Sequence, residues 1–189
     1  MIQEVKKAWF NLQEKIEKEN IPLSSEKTLV FLYAIELMKL FNCKDIIMDF
    51  ECQLYVDIDT SDKYLDLLII HNHREYAIEF KAPMKSIKGN SNQTETRKKI
   101  YKDIARLKYL VEYKGIEKGF FFMITDEAPY FNKSDRRDNT FDTSNGHNGN
   151  LSEFIKNYKI ENINFTFSWR NIHHKKVSNK FAWLKPIEI

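Results

Sequence analysis

At 189 residues, 42% hydrophobic and 30% charged, the chain suits one compact domain over 1–189 and is too apolar for a disordered polymer, since cores split only beyond roughly 250 residues. A net charge of +3 lends weak support to a polyanionic partner, so the placement of charge has to decide that question. No apolar run approaches the roughly 20 residues that span a bilayer and the first ten residues lack a signal-peptide core, so the expected location is the cytoplasm, with no membrane partner.

Val5, Trp9, Leu12 and Ile16 recur at helical spacing and stop at Asn20-Ile21-Pro22, which predicts an amphipathic helix. Ser24 or Ser25 can cap a second helix, on which Leu29, Tyr33, Leu37 and Leu40 form one face that Glu26 shares. Three strand candidates follow at 45–57, 64–70 and 75–82, the last two joined by the polar turn His71-Asn72-His73-Arg74. That turn spells HNH, but the nuclease motif of that name spreads its residues through a metal-bound hairpin and helix, so it is read here as a turn only. Ile100, Ile104, Leu107 and Val111 mark a long helix over 95–113 with Gly115 just beyond it. The stretch 119–125 is too short and too apolar for anything but a buried strand. The order helix, three strands, helix, strand predicts a mixed sheet flanked by helices, with a parallel crossover through the long helix.

Residues 127–150 show no period, which predicts a mobile lid or a disordered loop. Beyond them Ile163, Phe165, Phe167 and Trp169 alternate with polar residues as a strand with one apolar face, and 181–184 is expected to pack nearby. Cys43 and Cys52 form neither a CxxC pair nor a disulfide framework and read as buried free thiols. The histidines show no zinc spacing, and no glycine-rich phosphate loop occurs.

Chemistry is concentrated in the two middle strands. Asp66 is the sole charge in an apolar strand, and an unpaired buried carboxylate costs several kcal/mol or takes up a proton. On the next strand Glu79 and Lys81 share one face because side chains alternate with period two. The turn between the strands brings Asp66 and Glu79 together, and two carboxylates in contact repel unless a hard cation such as magnesium lies between them. Lys81 then stands close enough to orient a water or steady charge on a phosphate. Structurally neutral alternatives are a salt-bridged Glu79–Lys81 pair on a solvated face and, for Glu26, an acid favouring the helix dipole.

Glu26 in a helix, Asp66 in one strand and Glu79-Phe80-Lys81 in the next resemble the PD-(D/E)XK nuclease superfamily over residues 24–125. The resemblance implies an α/β restriction-endonuclease-like three-layer sandwich, with Asp66 and Glu79 as metal ligands, Lys81 as the catalytic lysine and Glu26 completing the catalytic set. Leu65 stands where the name-giving proline would be. The segment 119–131, the polar loop and Phe167-Ser168-Trp169-Arg170 are also similar to a group of bacterial stand-alone members with no assigned substrate. The implied activity is a Mg2+-dependent endonuclease, with Mn2+ as a substitute, acting on DNA in restriction or defence. A non-catalytic module of the same fold that binds nucleic acid or a protein is the alternative. A homodimer would supply two sites for two strands.

On the long helix Lys98, Lys102 and Arg106 align at four-residue intervals and are candidates for phosphate contacts; the competing reading is an ordinary solvated face. The cluster 173–176 reads as a polar turn.

Overall fold

The computed structural model describes residues 1–41, 45–58, 63–85, 92–133, 140–173, 176–177 and 180–189. Its first helix, α1 (Ile2–Glu19), ends where Asn20 turns left-handed, at φ 50°, and returns its N–H to the Ile16 carbonyl. In α2 (Glu26–Met38) Ser25 is the cap, its hydroxyl accepting the Thr28 N–H at 3.1 Å. That cap fixes Glu26 as the first helical residue. Ser25→Ala is expected to lower the unfolding free energy by about 1 kcal/mol, which urea denaturation followed by circular dichroism would read.

Strands β1 (Ile47–Gln53), β2 (Tyr64–His71) and β3 (Arg74–Lys81) form an antiparallel meander. The β2–β3 turn carries Asn72 and His73 with φ of 51° and 61°, the two positive values that a tight hairpin turn requires. The long helix α3 (Gln93–Tyr113), capped by the Asn92 side chain, then crosses over to β4 (Lys118–Thr125), which lies parallel to β3. The expected parallel crossover is therefore present, and the expected first strand is shorter than 45–57.

Downstream lie a 3-10 turn (Ala128–Tyr130), β5 (Asn148–Asn150), the short α4 (Ile155–Tyr158), β6 (Asn164–Thr166), β7 (Trp169–Arg170), β8 (Ile172–His173), β9 (Lys176–Val177), β10 (Ala182–Leu184) and β11 (Ile187–Glu188). The main sheet runs β1-β2-β3-β4-β10-β7, and β11 also pairs with β4. β10 and β11 share the edge of β4 away from β3, interrupted at Lys185-Pro186, where the Lys185 N–H goes to the Ser168 carbonyl instead.

Helices cover both sheet faces. Phe120, Phe122 and Ile124 of β4 pack with Leu67, Ile78 and Phe80 under α1 and α2. Phe121 and Met123 point the other way, with Leu65, Leu68 and Ala77 under α3. A strand buried on both faces has to be apolar throughout, which is why β4 shows no alternation. Trp9 of α1 stacks on Phe122 at 4.7 Å, and its indole N–H donates to the Leu184 carbonyl at 3.1 Å.

The expectation of a mobile or disordered segment at 127–150 is corrected for its described part, since 134–139 lie outside the described residues. Tyr130, Phe131, Asp142, Thr143 and Ser144 are buried. Local bonds hold this segment: Asp142 Oδ1 accepts the Ser144 N–H, and the Thr143 hydroxyl donates to the Tyr130 carbonyl. A methyl group on Gly149 would meet Phe165 at 2.7 Å, so glycine there reflects close packing. Side chain-to-backbone bonds have no sequence period, and the order they impose was therefore hidden. Residues 174–175 and Cys43 lie outside the described residues, while Cys52 is a free thiol but half-buried rather than buried as expected. No helix among the described residues is long and apolar enough to cross a membrane.

Candidate active site

The β2–β3 register pairs Leu67 with Ile78, and one step further along the strands Asp66 comes opposite Glu79. Cross-strand partners share a face, so both carboxylates and Lys81 lie on the side covered by α3. The Phe80 N–H donates to Asp66 Oδ2 at 2.7 Å, where a backbone ladder bond would otherwise form. Asp66 and Glu79 lie near enough for the charge of one to raise the pKa of the other. Glu26 reaches the same end of β3 from α2, its Oε2 accepting the Ala82 N–H at 2.9 Å and its Oε1 lying 3.6 Å from Lys81 Nζ. All four residues expected from sequence therefore converge.

α3 adds an ion pair that sequence reasoning missed. Asp103, 3% exposed, lies 2.9 Å from Lys81 Nζ through Oδ2 and 2.9 Å from Arg106 Nη1 through Oδ1. Arg106, 2% exposed, places Nη2 3.2 Å from Glu79 Oε1 and stacks its guanidinium 3.9 Å from the centre of the Tyr55 ring. The Tyr55 hydroxyl donates to the same Glu79 oxygen at 2.8 Å. Lys81 and Glu79, two residues apart on β3, are thus joined through Asp103 and Arg106 in a chain of alternating charge.

Arg106 corrects the expected phosphate-contacting row. At 100° per residue, four-residue steps rotate about 40° each, so Lys98 is exposed, Lys102 half-buried and Arg106 turned into the interior. A sequence signal for the inner pair did exist. Asp103 lies three residues from Ile100 and four from Leu107, inside the apolar stripe, where a charge has to find a partner.

Four carboxylates, from Glu26, Asp66, Glu79 and Asp103, surround two cations, Lys81 and Arg106. At the rim Lys27 pairs with Glu51 at 2.7 Å and leaves that balance unchanged. With every group ionised the cluster carries two uncompensated negative charges among the described residues. The carboxyl groups respond accordingly. Burial pushes Glu79 well above the usual range, with repulsion from Asp66 adding to it and Arg106 opposing it. Burial also raises Asp66 and Glu26, with Lys81 opposing the rise in both. Burial alone would lower Lys81, but Asp103, Glu26, Asp66 and Glu79 outweigh it and keep the ammonium charged.

Among the described residues no group of three or more His, Cys, Asp and Glu side chains is disposed to hold a metal ion. Magnesium, however, is usually held by one or two carboxylates, with water and substrate phosphate completing its shell. Asp66 and Glu79 supply two hard oxygen donors of that kind, although Glu79 Oε1 already receives Tyr55 and Arg106. Compared with family models, curated proteins and solved structures, the chain matches none.

Proposed function

We propose that this chain is a magnesium-dependent endonuclease of the PD-(D/E)XK type that hydrolyses phosphodiester bonds in DNA in the cytoplasm, on a restriction-endonuclease-like sandwich. The observation that carries the proposal is the convergence of Glu26, Asp66, Glu79 and Lys81 on one cluster of acids and bases in the interior. The element order of α2, three antiparallel strands, α3 and parallel β4 supports the same reading.

Asp66 and Glu79 would hold the ion. When bound, magnesium supplies Lewis acidity to the scissile phosphate and the attacking water. Lys81 keeps its charge and is anchored near Asp103 and the Phe80 carbonyl, so its positive end is ready for charge developing on phosphorus-bound oxygen. Glu26 ties the end of β3 to α2 and limits the reach of that lysine. Lys98, exposed on α3, and Lys102 beside it are the proposed contacts to backbone phosphates.

One observation favours a second reading, a non-catalytic module of this fold: Glu79 Oε1 already receives both the Tyr55 hydroxyl and Arg106. Calorimetric titration of magnesium and manganese into wild type and Asp66→Ala, with plasmid nicking on the same samples, separates the two. Under the nuclease reading wild type binds and nicks, and Asp66→Ala does neither. A wild type that binds no divalent ion would establish the non-catalytic module.

A further inference from the structure

Strand β1 ends the main sheet and pairs with β2, so its outer edge has no strand partner among the described residues. Lysine and proline commonly guard such an edge. Ile47–Gln53 holds neither, and its only charges are Asp49 and Glu51. Helix α2 runs back along this edge. Lys27 in its first turn meets Glu51 at 2.7 Å. Phe41, three residues past its end, lies 5.1 Å from the ring of His71, which donates to the Asp45 carbonyl. Between those two points the exposed residues of α2 are Lys27, Phe31 and Met38, one stripe at helical spacing. Phe31 and Met38 on the helix and Ile47 and Phe50 on the strand are 44% to 62% exposed, four of the seven large hydrophobic residues that lie exposed among the described residues. From Leu29 to Met38 the one charge is Glu36, buried against Lys15 and Lys39. So α2 is apolar all round, the pattern of a helix covered on every side.

We propose that the edge of β1 and the outer stripe of α2 bind an extended segment of a partner protein, one that alternates basic and apolar residues and joins the sheet as an added strand. The proposal is independent of the nuclease reading. Main-chain groups of Ile47–Phe50 hold the segment, this being the regular part of the edge before Glu51 turns left-handed at φ 54°. The acids set its charge: residues 45–57 contain Asp45, Asp49, Glu51 and Asp57 and no base. Lys27 takes Glu51 and Lys114 takes Asp57, while Asp49 has no ion-pair partner among the described residues. Side chains alternate along a strand, so basic residues facing Asp49 leave apolar ones to cover Phe50 and Phe31. The same acids repel the phosphates of a nucleic acid. They also oppose a second copy, because antiparallel β1 strands centred on Asp49 or Phe50 set acid against acid.

A display library of random peptides of about ten residues, the upper length of an ordinary strand, tests this when selected on wild type and counter-selected on Phe50→Lys. Enriched peptides are expected to alternate basic and apolar residues and to lack proline. By fluorescence anisotropy they should bind Asp49→Lys and Phe31→Ser about tenfold more weakly than wild type. Both positions are exposed, and circular dichroism is expected to show both variants folded. On peptide binding, hydrogen exchange should slow within Ile47–Phe50. No enrichment, enrichment of acidic peptides, or affinity unchanged by both substitutions overturns the proposal. So does a wild type that dimerises in sedimentation where Phe50→Lys stays monomeric, which would give the edge to a second copy. An oligonucleotide that displaces the peptide would give it to nucleic acid and equally overturn it.

Discussion

Asp66→Asn is expected to unfold at a higher temperature than wild type at pH 8 without divalent metal and, under the proposed nuclease function, to lose plasmid nicking by about a thousandfold. The two effects share one cause. The substituted side chain keeps an oxygen for the Phe80 N–H, the hydrogen bond that Asp66 makes to the backbone of β3, and its amide can donate to the neighbouring Glu79. What disappears is one of two repelling charges, and relieving such a strained functional site is worth about 1 kcal/mol. The pH dependence has a definite sign. Burial raises the folded-state values of Asp66 and Glu79 above the ordinary carboxylate range, so the folded protein binds more protons than the unfolded chain there. That contribution is complete below the ordinary range and is lost as pH rises through the raised values. The melting-temperature advantage of Asp66→Asn should therefore widen from acid towards pH 8. Under the proposed function magnesium should reverse it by stabilising wild type alone. The activity loss assumes that the ion supplies about 4 kcal/mol of transition-state stabilisation, at 1.36 kcal/mol per tenfold. A variant less stable than wild type at pH 8 would show that Asp66 is a structural ion-pair partner.

Arg106→Leu acts in the opposite direction. Removing one member of a buried ion cluster leaves its partners charged and unpaired, which costs about 3–5 kcal/mol. Here both Glu79 and Asp103 lose a cation in a pocket where neither is more than 5% exposed. Arg106 also opposes the rise in Glu79, so its loss should weigh most at high pH. Urea denaturation of Arg106→Leu, Glu79→Gln and the double variant forms a cycle. The double variant is expected to recover part of the loss, and strict additivity would mean that the guanidinium and Glu79 are not energetically coupled.

Asp66, Glu79 and Lys81 were legible in the sequence because strand alternation is strict: a charge in an apolar strand, and an acid and a base two residues apart, have their faces fixed once the strands are drawn. Glu26 was legible because Ser25 marks where its helix starts. Asp103, Arg106 and Tyr55 were harder, since the face of a helix drifts with each turn and Tyr55 lies in a connection with no period. The four-residue row of basic residues drew Arg106 outward, whereas the apolar neighbours of Asp103 pointed inward. The pairing of β10 and β11 with β4 left no local mark at all, because partners 57 to 68 residues apart obey no shared period.

The contact between Trp9 and Leu184 spans 175 residues, and Lys6 meets Glu188 at 2.5 Å close by. In kinetic terms α1 packs on α2 and β4 first but cannot complete its packing until β10 is in place, a closure over nearly the whole of the given sequence. During synthesis, α2 and Phe122 of β4 are made well before Trp183 and Leu184, so one edge of the Trp9 indole stays open until the last strands arrive.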